Sequence, residues 1–414
     1  MVTVFGLGFV GLTTALGFAE MGHQVYGVEV NQERMNLIKS GRLPFLEPGL
    51  DEALTRHLGV NFHPCDDLSK AISKSDYIYY CVGTPYGEDG QADLTYLNLA
   101  MGQTLEAIHD DRFRVLVVKS TVPPSTTQNK VIPFLRERGW EPGERIGVAN
   151  NPEFLREGYC WEDFIHADRI VLGVEDGRSE QMLRQLYEES AAPIICVTLN
   201  TGEFIKYLSN TLLATLISYS NEMSLIADTI GGIDTGHAFR VLHMDRRWQE
   251  GTMSSYAYPG CGYGGYCLPK DTNALYALTR DAGFDAPILK NVIATNDGMP
   301  AAIIRRIENV LGPEDSIGIL GLSFKPGSDD VRDTPAAKII GKLIDKGYKK
   351  IMAYDPVATT EFQLHYANLK IVYCTSQEEL VERSDVLAIV TAWSEFKGLR
   401  ERTEKPILDC RYIL

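Results

Sequence analysis

The chain has 414 residues, 44% of them apolar and 23% charged, an ordinary globular composition long enough for two or three domains. Its formal net charge of −15 argues against a general binder of nucleic acid or membrane surfaces, while local positive loops can still hold an anionic ligand. The eight cysteines, at 65, 81, 160, 196, 261, 267, 374 and 410, show no CxxC spacing, which predicts reduced thiols in a cytoplasmic protein and neither a disulfide framework nor a metal site.

The chain opens directly on a strand, Val2 to Phe5, with no basic leader, and its most apolar helical stretch, 211–219, is far too short to span a bilayer. The strand runs into Gly6-Leu7-Gly8-Phe9-Val10-Gly11. Leu12, Ala15, Leu16, Phe18 and Ala19 follow at helical spacing, Gly22-His23 stops the helix, and a second strand, Gln24 to Val28, ends at Glu29. Strand, G-x-G-x-x-G, helix, strand, acid is the order of a dinucleotide site, with glycines for the tight turn and the pyrophosphate on the helix N-terminus. Glu29 stands where an acid takes the ribose hydroxyls and repels a 2′-phosphate, so NAD is expected rather than NADP. A further strand breaks at Gly83-Thr84-Pro85, and another, Val115 to Val118, at Lys119-Ser120-Thr121. Ligands of open α/β sheets bind beyond the carboxyl ends of strands, so Thr84, Ser120 and Thr121 are candidates to line the cofactor site, although turn chemistry alone also favours these residue types. Ile146 to Ala149 then leads into Asn150 to Gly158, where Glu153, Arg156 and Glu157 form either a solvated charge run or a group holding a catalytic water.

From Glu203 to about Ile230 apolar residues recur at 205, 208, 212, 216, 219, 223, 226 and 230 without Gly or Pro. This predicts one helix of roughly 40 Å at ~1.5 Å per residue. Glu203, Lys206 and Asn210 share a face of it, either solvated or turned to a site. Further on, Gly260-Cys-Gly-Tyr-Gly-Gly-Tyr-Cys267-Leu-Pro-Lys-Asp271 allows close approach of backbone to a ligand. Cys267 falls just before a helix start beside Lys270, and both features favour a thiolate; a buried inert thiol is the competing reading.

Ser316 to Leu320 begins a second strand-first unit, with a polar loop at 321–335, a helix ending at Lys346-Gly347 and a strand ending at Asp355. Ser384-Asp385 and its strand echo Ser75-Asp76 and its strand. Two doubly wound α/β domains joined by the long helix are expected. The second lacks G-x-G-x-x-G and offers Lys325, Arg332 and Arg411, which suit a pyrophosphate. A thiolate between the two has a use if an alcohol is oxidised to an aldehyde, captured as a thiohemiacetal, oxidised again to a thioester and hydrolysed; a plain two-electron alcohol dehydrogenase has none.

The motifs GLGFVG (6–11), EPGL (47–50), GTP (83–85), KSTVPPST (119–126), NPEFLREG (151–158), EFIKYLSN (203–210), GYGGYCLPKD (262–271), GLSFKPGSDDVRDTP (321–335) and YDP (354–356) stand in the order of the UDP-glucose/GDP-mannose dehydrogenase family, which the whole chain resembles. The resemblance implies two Rossmann-like domains, NAD-binding at 1–200 and UDP-binding at 301–414, joined by a long central helix and a helical dimerisation region at 201–300 that carries the cysteine. It implies NAD-dependent, four-electron oxidation of the C6 hydroxyl of a nucleotide sugar, most closely UDP-glucose to UDP-glucuronate, with GDP-mannose or a UDP-N-acetylhexosamine as the alternative substrate and an inactive nucleotide-sugar sensor as a remote one. The partners implied are the nucleotide sugar and a second copy of the chain, with higher homo-oligomers open. By the same resemblance, Cys267 is the nucleophile, Lys206 stabilises the oxyanion, Asn210 and Asp271 hold the hydroxyl or the hydrolytic water, and Thr121 and Glu153 position that water. Gly6, Gly8, Phe9, Val10, Gly11, Glu29, Arg34, Gly83, Thr84, Ser120, Thr121, Glu157, Lys270 and Arg332 would serve NAD. Phe154, Leu155, Lys206, Asn210, Tyr256, Gly264, Lys325 and Arg411 would bind the sugar nucleotide, with Arg247 matching an arginine that reaches the site of a partner subunit. Tyr266 before the cysteine, Leu216 and Ala392 depart from the family's usual residues.

Overall fold

The computed structural model describes residues 1–85, 92–245, 256, 258–312 and 314–414. The chain divides into two compact units, Met1–Ser209 and Asn210–Leu414. In the first, β1 (Val2–Phe5), β2 (Val25–Val28), β3 (Phe62–Pro64), β4 (Tyr77–Tyr80), β5 (Arg114–Val118), β6 (Ile146–Asn150), β7 (Ile170–Val174) and β8 (Ile194–Val197) form one sheet in the order β3-β2-β1-β4-β5-β6-β7-β8. β1, β4, β5 and β6 are buried along their whole length, which is why they read as unbroken apolar runs: helices cover both faces of a parallel sheet. Val2 pairs with Val25 on one side and Tyr77 on the other, all parallel, whereas β7 meets β6 antiparallel at Ala149 and Val174. Winding reverses between β1 and β4, so their carboxyl ends open the crevice in which ligands of such sheets bind.

The second unit repeats the plan on a smaller scale. β9 (Ile317–Leu320), β10 (Ile351–Tyr354), β11 (Val372–Tyr373), β12 (Val386–Ile389) and β13 (Ile407–Asp409) lie parallel in the order β11-β10-β9-β12-β13. Asp355 follows β10 as Glu29 follows β2. Its buried carboxylate accepts from the backbone N–H groups of Leu322, Ser323, Val357 and Ala358, the Ser323 hydroxyl and the Trp393 indole at 2.8–3.1 Å. No helix among the described residues is long and apolar enough to cross a membrane, and all eight cysteines are free thiols.

Two expected helix starts shift. The long helix runs Leu199–Ile230, four residues earlier than Glu203. The Thr198 hydroxyl accepts from the Thr201 N–H at 3.3 Å, and Gly202 lies inside because a Cβ there would stand 2.3 Å from Asn150 Oδ1. The later helix begins at Cys267 itself (Cys267–Asp281), so the thiol belongs to its first turn. The long helix also inverts ordinary amphipathicity. Glu203, Lys206, Asn210, Ser218 and Asn221 are buried, while Phe204, Leu208, Leu212 and Tyr219 are 47–54% exposed.

Candidate active site

In the first unit the glycine turn is built to touch. Gly6 has φ +83°, and a Cβ on it would stand 2.8 Å from the Cys81 carbonyl. A Cβ on Gly11 would fall 1.7 Å from the Gly6 oxygen, whereas Gly8 has nothing within 4 Å. The turn is thus closed against the sheet at Gly6 and Gly11 and open at Gly8, a cradle that fits a dinucleotide pyrophosphate at the start of the Phe9–Glu20 helix. Phe9 stacks on Phe45 with ring centroids 4.1 Å apart, and Val10 is half-buried in the first turn. Glu29 accepts from Leu7 N–H (2.9 Å), Asn31 N–H (2.8 Å) and Arg34 Nη1 (3.0 Å). Burial pushes its carboxyl up, but these donors outweigh it and hold the group below the ordinary carboxylate range. Arg34 is thereby committed to a carboxylate.

The two strand-end breaks meet. The Thr84 hydroxyl donates to the Thr121 carbonyl at 2.7 Å, and the Ser120 hydroxyl to the Val82 carbonyl at 2.6 Å, beside Gly83. Beyond β6, Glu153 is buried and its Oε1 pairs with Lys206 Nζ at 2.8 Å; its Oε2 accepts from the Leu155 N–H at 2.7 Å. Burial raises the Glu153 carboxyl, yet Lys206, the Leu155 N–H and Lys119 together keep it low. The Phe154 ring lies under Arg169 at 4.2 Å and near Lys206 at 5.6 Å. Lys119 is buried, donates to Asn151 Oδ1 at 3.0 Å, and is pushed down to about 8 by burial. The 153–158 loop hangs on the first residue of the EPGL motif, to which the sequence reading gave no role. Glu47 is 2% exposed and accepts from the N–H groups of Gly158 (2.9 Å) and Cys160 (2.7 Å), with Glu157 in the same turn. A Glu beside Pro48 and Gly49, with no basic residue near it in sequence, was the one signal that it caps a distant loop.

In the second unit Asp271 is fully buried between Asn210 and Lys270. Asn210 Nδ2 donates to its Oδ2 at 2.6 Å, and Lys270 pairs with its Oδ1. Burial alone would lower the Lys270 ammonium; Asp271 reverses this and raises it. Cys267 lies one helical turn before Asp271, close enough to Lys270 to add to the upward push on its ammonium. Tyr266 finds its use here. Its ring has Arg332 at 4.7 Å and Lys270 Nζ at 5.6 Å, so it carries two cations beside the thiol. Arg332 is fixed in turn by a two-pronged pair with Asp330, and its carbonyl accepts from Gly265 N–H at 2.9 Å. Gly264 could not be another residue: a Cβ would stand 2.5 Å from the Asp333 carbonyl. Gly260 lies against Arg411, 2.0 Å from a would-be Cβ, and Lys325 Nζ stands 5.4 Å from the Phe324 ring. Asn296 and Asn221, both missed from sequence, hold the loop by accepting from Tyr263 and Gly260 N–H at 2.7 Å. Cys261 is buried, and the neighbouring Cys410 thiol is the main influence holding its thiol below the ordinary range. Tyr256 is half-buried near the start of this segment, and Arg247 lies outside the described residues.

Each unit therefore holds one cluster of reactive groups: a dinucleotide cradle with a buried Lys206–Glu153 pair in one, a thiol with a buried Asn210–Asp271–Lys270 group in the other. Comparison with known proteins agrees along the whole chain. Residues 1–191 match the model of the UDP-glucose/GDP-mannose dehydrogenase family NAD binding domain, 200–298 its central domain and 318–414 its UDP binding domain. A UDP-glucose 6-dehydrogenase of Bacillus subtilis is 36% identical over 401 residues, covering 96% of this chain and 88% of that protein. The solved UDP-glucose dehydrogenase of Pyrobaculum islandicum superposes with a TM-score of 0.92 at 35% identity, covering 100% of this chain and 94% of that one. A UDP-D-ManNAc dehydrogenase from Pyrococcus horikoshii superposes at 0.86 with 27% identity, covering 100% and 96%. The chain belongs to the UDP-glucose/GDP-mannose dehydrogenase family.

Proposed function

We propose that this NAD-dependent nucleotide-sugar dehydrogenase oxidises the C6 hydroxyl of UDP-glucose to the carboxylate of UDP-glucuronate, in two hydride transfers, with Cys267 as the covalent nucleophile. The observation that carries the reading is Cys267 in the first turn of a helix with Asp271, Asn210 and Lys270 locked one turn on. A helix N-terminus and a nearby ammonium stabilise a thiolate. NAD, when bound at the Gly6–Gly11 cradle with Glu29, accepts the hydrides. In this reading Lys206 stabilises the negative oxygen of the alkoxide and of the tetrahedral adducts. Asp271, aimed by Asn210, holds the hydroxyl and later the hydrolytic water, with Thr121 and Glu153 orienting that water. The Cys267 sulfur adds to the aldehyde carbon, keeps it from escaping, and leaves when water attacks the thioester. Phe154, Leu155, Lys325 and Arg411 receive the sugar nucleotide.

UDP-glucose is favoured over other sugars by relatives named as UDP-glucose 6-dehydrogenases at about a third identity over nearly the full chain. The second reading, a UDP-N-acetylhexosamine, is favoured by the Pyrococcus horikoshii relative. A panel of UDP-glucose, GDP-mannose and UDP-ManNAc with NAD separates them. The expected outcome is two NADH per UDP-glucose from wild type, and no UDP-glucuronate from Cys267→Ala. One NADH per sugar, or a Cys267→Ala variant at wild-type rate, would refute the mechanism.

The working unit in this reading is a homodimer. Phe204, Leu208, Leu212 and Tyr219 line an apolar strip on the long helix that the monomer leaves half exposed, and such strips mark interfaces. Sedimentation of wild type against Leu208→Asp tests it; a wild type that sediments as a monomer refutes it.

A further inference from the structure

Lys119 is the buried charge that the chemistry above leaves unused. It follows β5 directly and is 5% exposed. Among the described residues its ammonium has one partner, Asn151 Oδ1 at 3.0 Å, and no carboxylate. Asn151 does not need that bond. The same oxygen accepts from the Tyr187 hydroxyl at 2.6 Å, and the amide nitrogen donates to the Val171 carbonyl at 2.8 Å. An aliphatic side chain at 119 would leave Asn151 satisfied and would avoid burying an ammonium against a neutral amide, which is unfavourable. A charge in such a place points to a use for the charge itself.

The surroundings show the use. Glu153 and Lys206 are both buried and pair at 2.8 Å, so by themselves they are neutral as a unit. Lys119 acts on the same carboxylate: Lys206 and, less strongly, Lys119 both hold Glu153 in its ionised form. Two ammoniums therefore share one carboxylate, and the cluster is positive by one charge for as long as Lys119 is protonated. The other titratable groups facing Lys119 are Cys81, beyond β4, and Tyr187, across Asn151, with Tyr79 behind it. Burial pushes the Cys81 thiol up to about 12 and raises both phenols, so none of the three carries a charge at neutral pH. Burial pushes Lys119 down to about 8; Cys81 and Glu153 pull it up, and Lys206 pushes it further down.

We propose that Lys119 is a positioning residue that acts through Glu153: its ammonium offsets the carboxylate paired with Lys206, so that the cluster meets the alkoxide and the tetrahedral oxyanions with one net positive charge. Lys119 makes and breaks no bond in this role, and its proton stays in place through turnover. The inference rests on the proposed role of Lys206.

Lys119→Met removes the charge, and Lys119→Arg keeps it beyond the pH at which a lysine there loses it. At about pH 7, Lys119→Met should lower kcat about tenfold or more, with both KM values within about twofold. The wild-type kcat should fall as pH rises through about 8 and approach that of Lys119→Met by about pH 9.5, whereas Lys119→Arg should hold its kcat over the same range. A lysine with only a structural role would give the same ratio of wild type to Lys119→Met at every pH, and that result overturns the inference. So does a Lys119→Arg profile that falls as wild type does. A second measurement needs no substrate. In protein carrying ¹³C-labelled lysine, one Cε resonance should titrate near pH 8, be missing from Lys119→Arg, and titrate at about pH 7 in Glu153→Gln, where the carboxylate no longer supports the ammonium. If wild type oxidises no nucleotide sugar, the proposed function fails by itself; the resonance still decides the inference, which is overturned if no lysine titrates near pH 8 or if Glu153→Gln leaves that titration unmoved.

Discussion

Replacing Lys206 by methionine removes the ammonium while keeping a chain of similar length. Glu153, 5% exposed, is then left with the Leu155 N–H and the more distant Lys119. At 2.8 Å and an effective dielectric of about 20, the lost attraction is about 6 kcal/mol. The remaining donors and partial relaxation reduce this to about 3–5 kcal/mol, the usual cost of breaking a buried pair. The sign with pH follows from Glu153. Its folded carboxyl is held below the ordinary value of 4.5, so in wild type its contribution is complete above the unfolded pKa and is lost as pH falls through the lowered folded one. In Lys206→Met burial is opposed only by the Leu155 N–H and Lys119 and the carboxyl rises, so the variant's deficit shrinks as acid protonates it. Urea denaturation of the N-terminal unit, followed at about pH 7 and about pH 5, should show a gap that narrows in acid. Lys206→Met/Glu153→Gln should recover part of the loss. A variant within about 1 kcal/mol of wild type at neutral pH, or a gap that widens in acid, refutes the reasoning.

Three further outcomes are expected. Gly11→Ala puts a methyl 1.7 Å from a backbone oxygen, so the turn must open. Stability should fall by about 2–4 kcal/mol, and NAD affinity, measured by titration calorimetry, should fall with it. Glu47→Gln can accept only one of the two N–H groups it now caps; at about 1–3 kcal/mol for the orphaned donor, amide exchange at Gly158 and Cys160 should accelerate about tenfold to a hundredfold. Glu203 has its folded carboxyl raised from 4.5 to about 7, so its stability contribution is present below the unfolded value and is lost as pH rises through the folded one. Glu203→Gln should therefore be more stable than wild type at about pH 8, by up to about 3 kcal/mol, with the two curves converging below about pH 5.

The winding of both sheets was legible because fully buried parallel strands leave unbroken apolar runs, and the Gly6–Gly11 turn because its glycines are sterically compelled. The place of Cys267 at a helix start was legible through its loop to within one residue. What stayed hidden was pairing across sequence distance. Nothing local shows that Glu153 meets Lys206, that Glu47 caps a loop 111 residues on, or that Tyr266 carries Arg332 and Lys270 on its ring. The face of the long helix stayed open for a related reason. Periodicity locates the apolar stripe without saying which face is covered, and here Glu203, Lys206 and Asn210 go inside. Its start was misjudged because Gly202 reads as a breaker but serves as a gap for Asn150.

The two acids that end β2 and β10 show how one winding plan can serve two kinds of ligand. A carboxylate has about four lone-pair sites to offer. Asp355 is crowded by six donors of its own unit, so its acceptor valence is exhausted before any ligand arrives. Among the described residues Glu29 receives Leu7, Asn31 and Arg34 alone, three donors for about four sites. The second unit uses the acid at the end of its second strand as a structural rivet. A nucleotide held there must be read through cations and backbone instead.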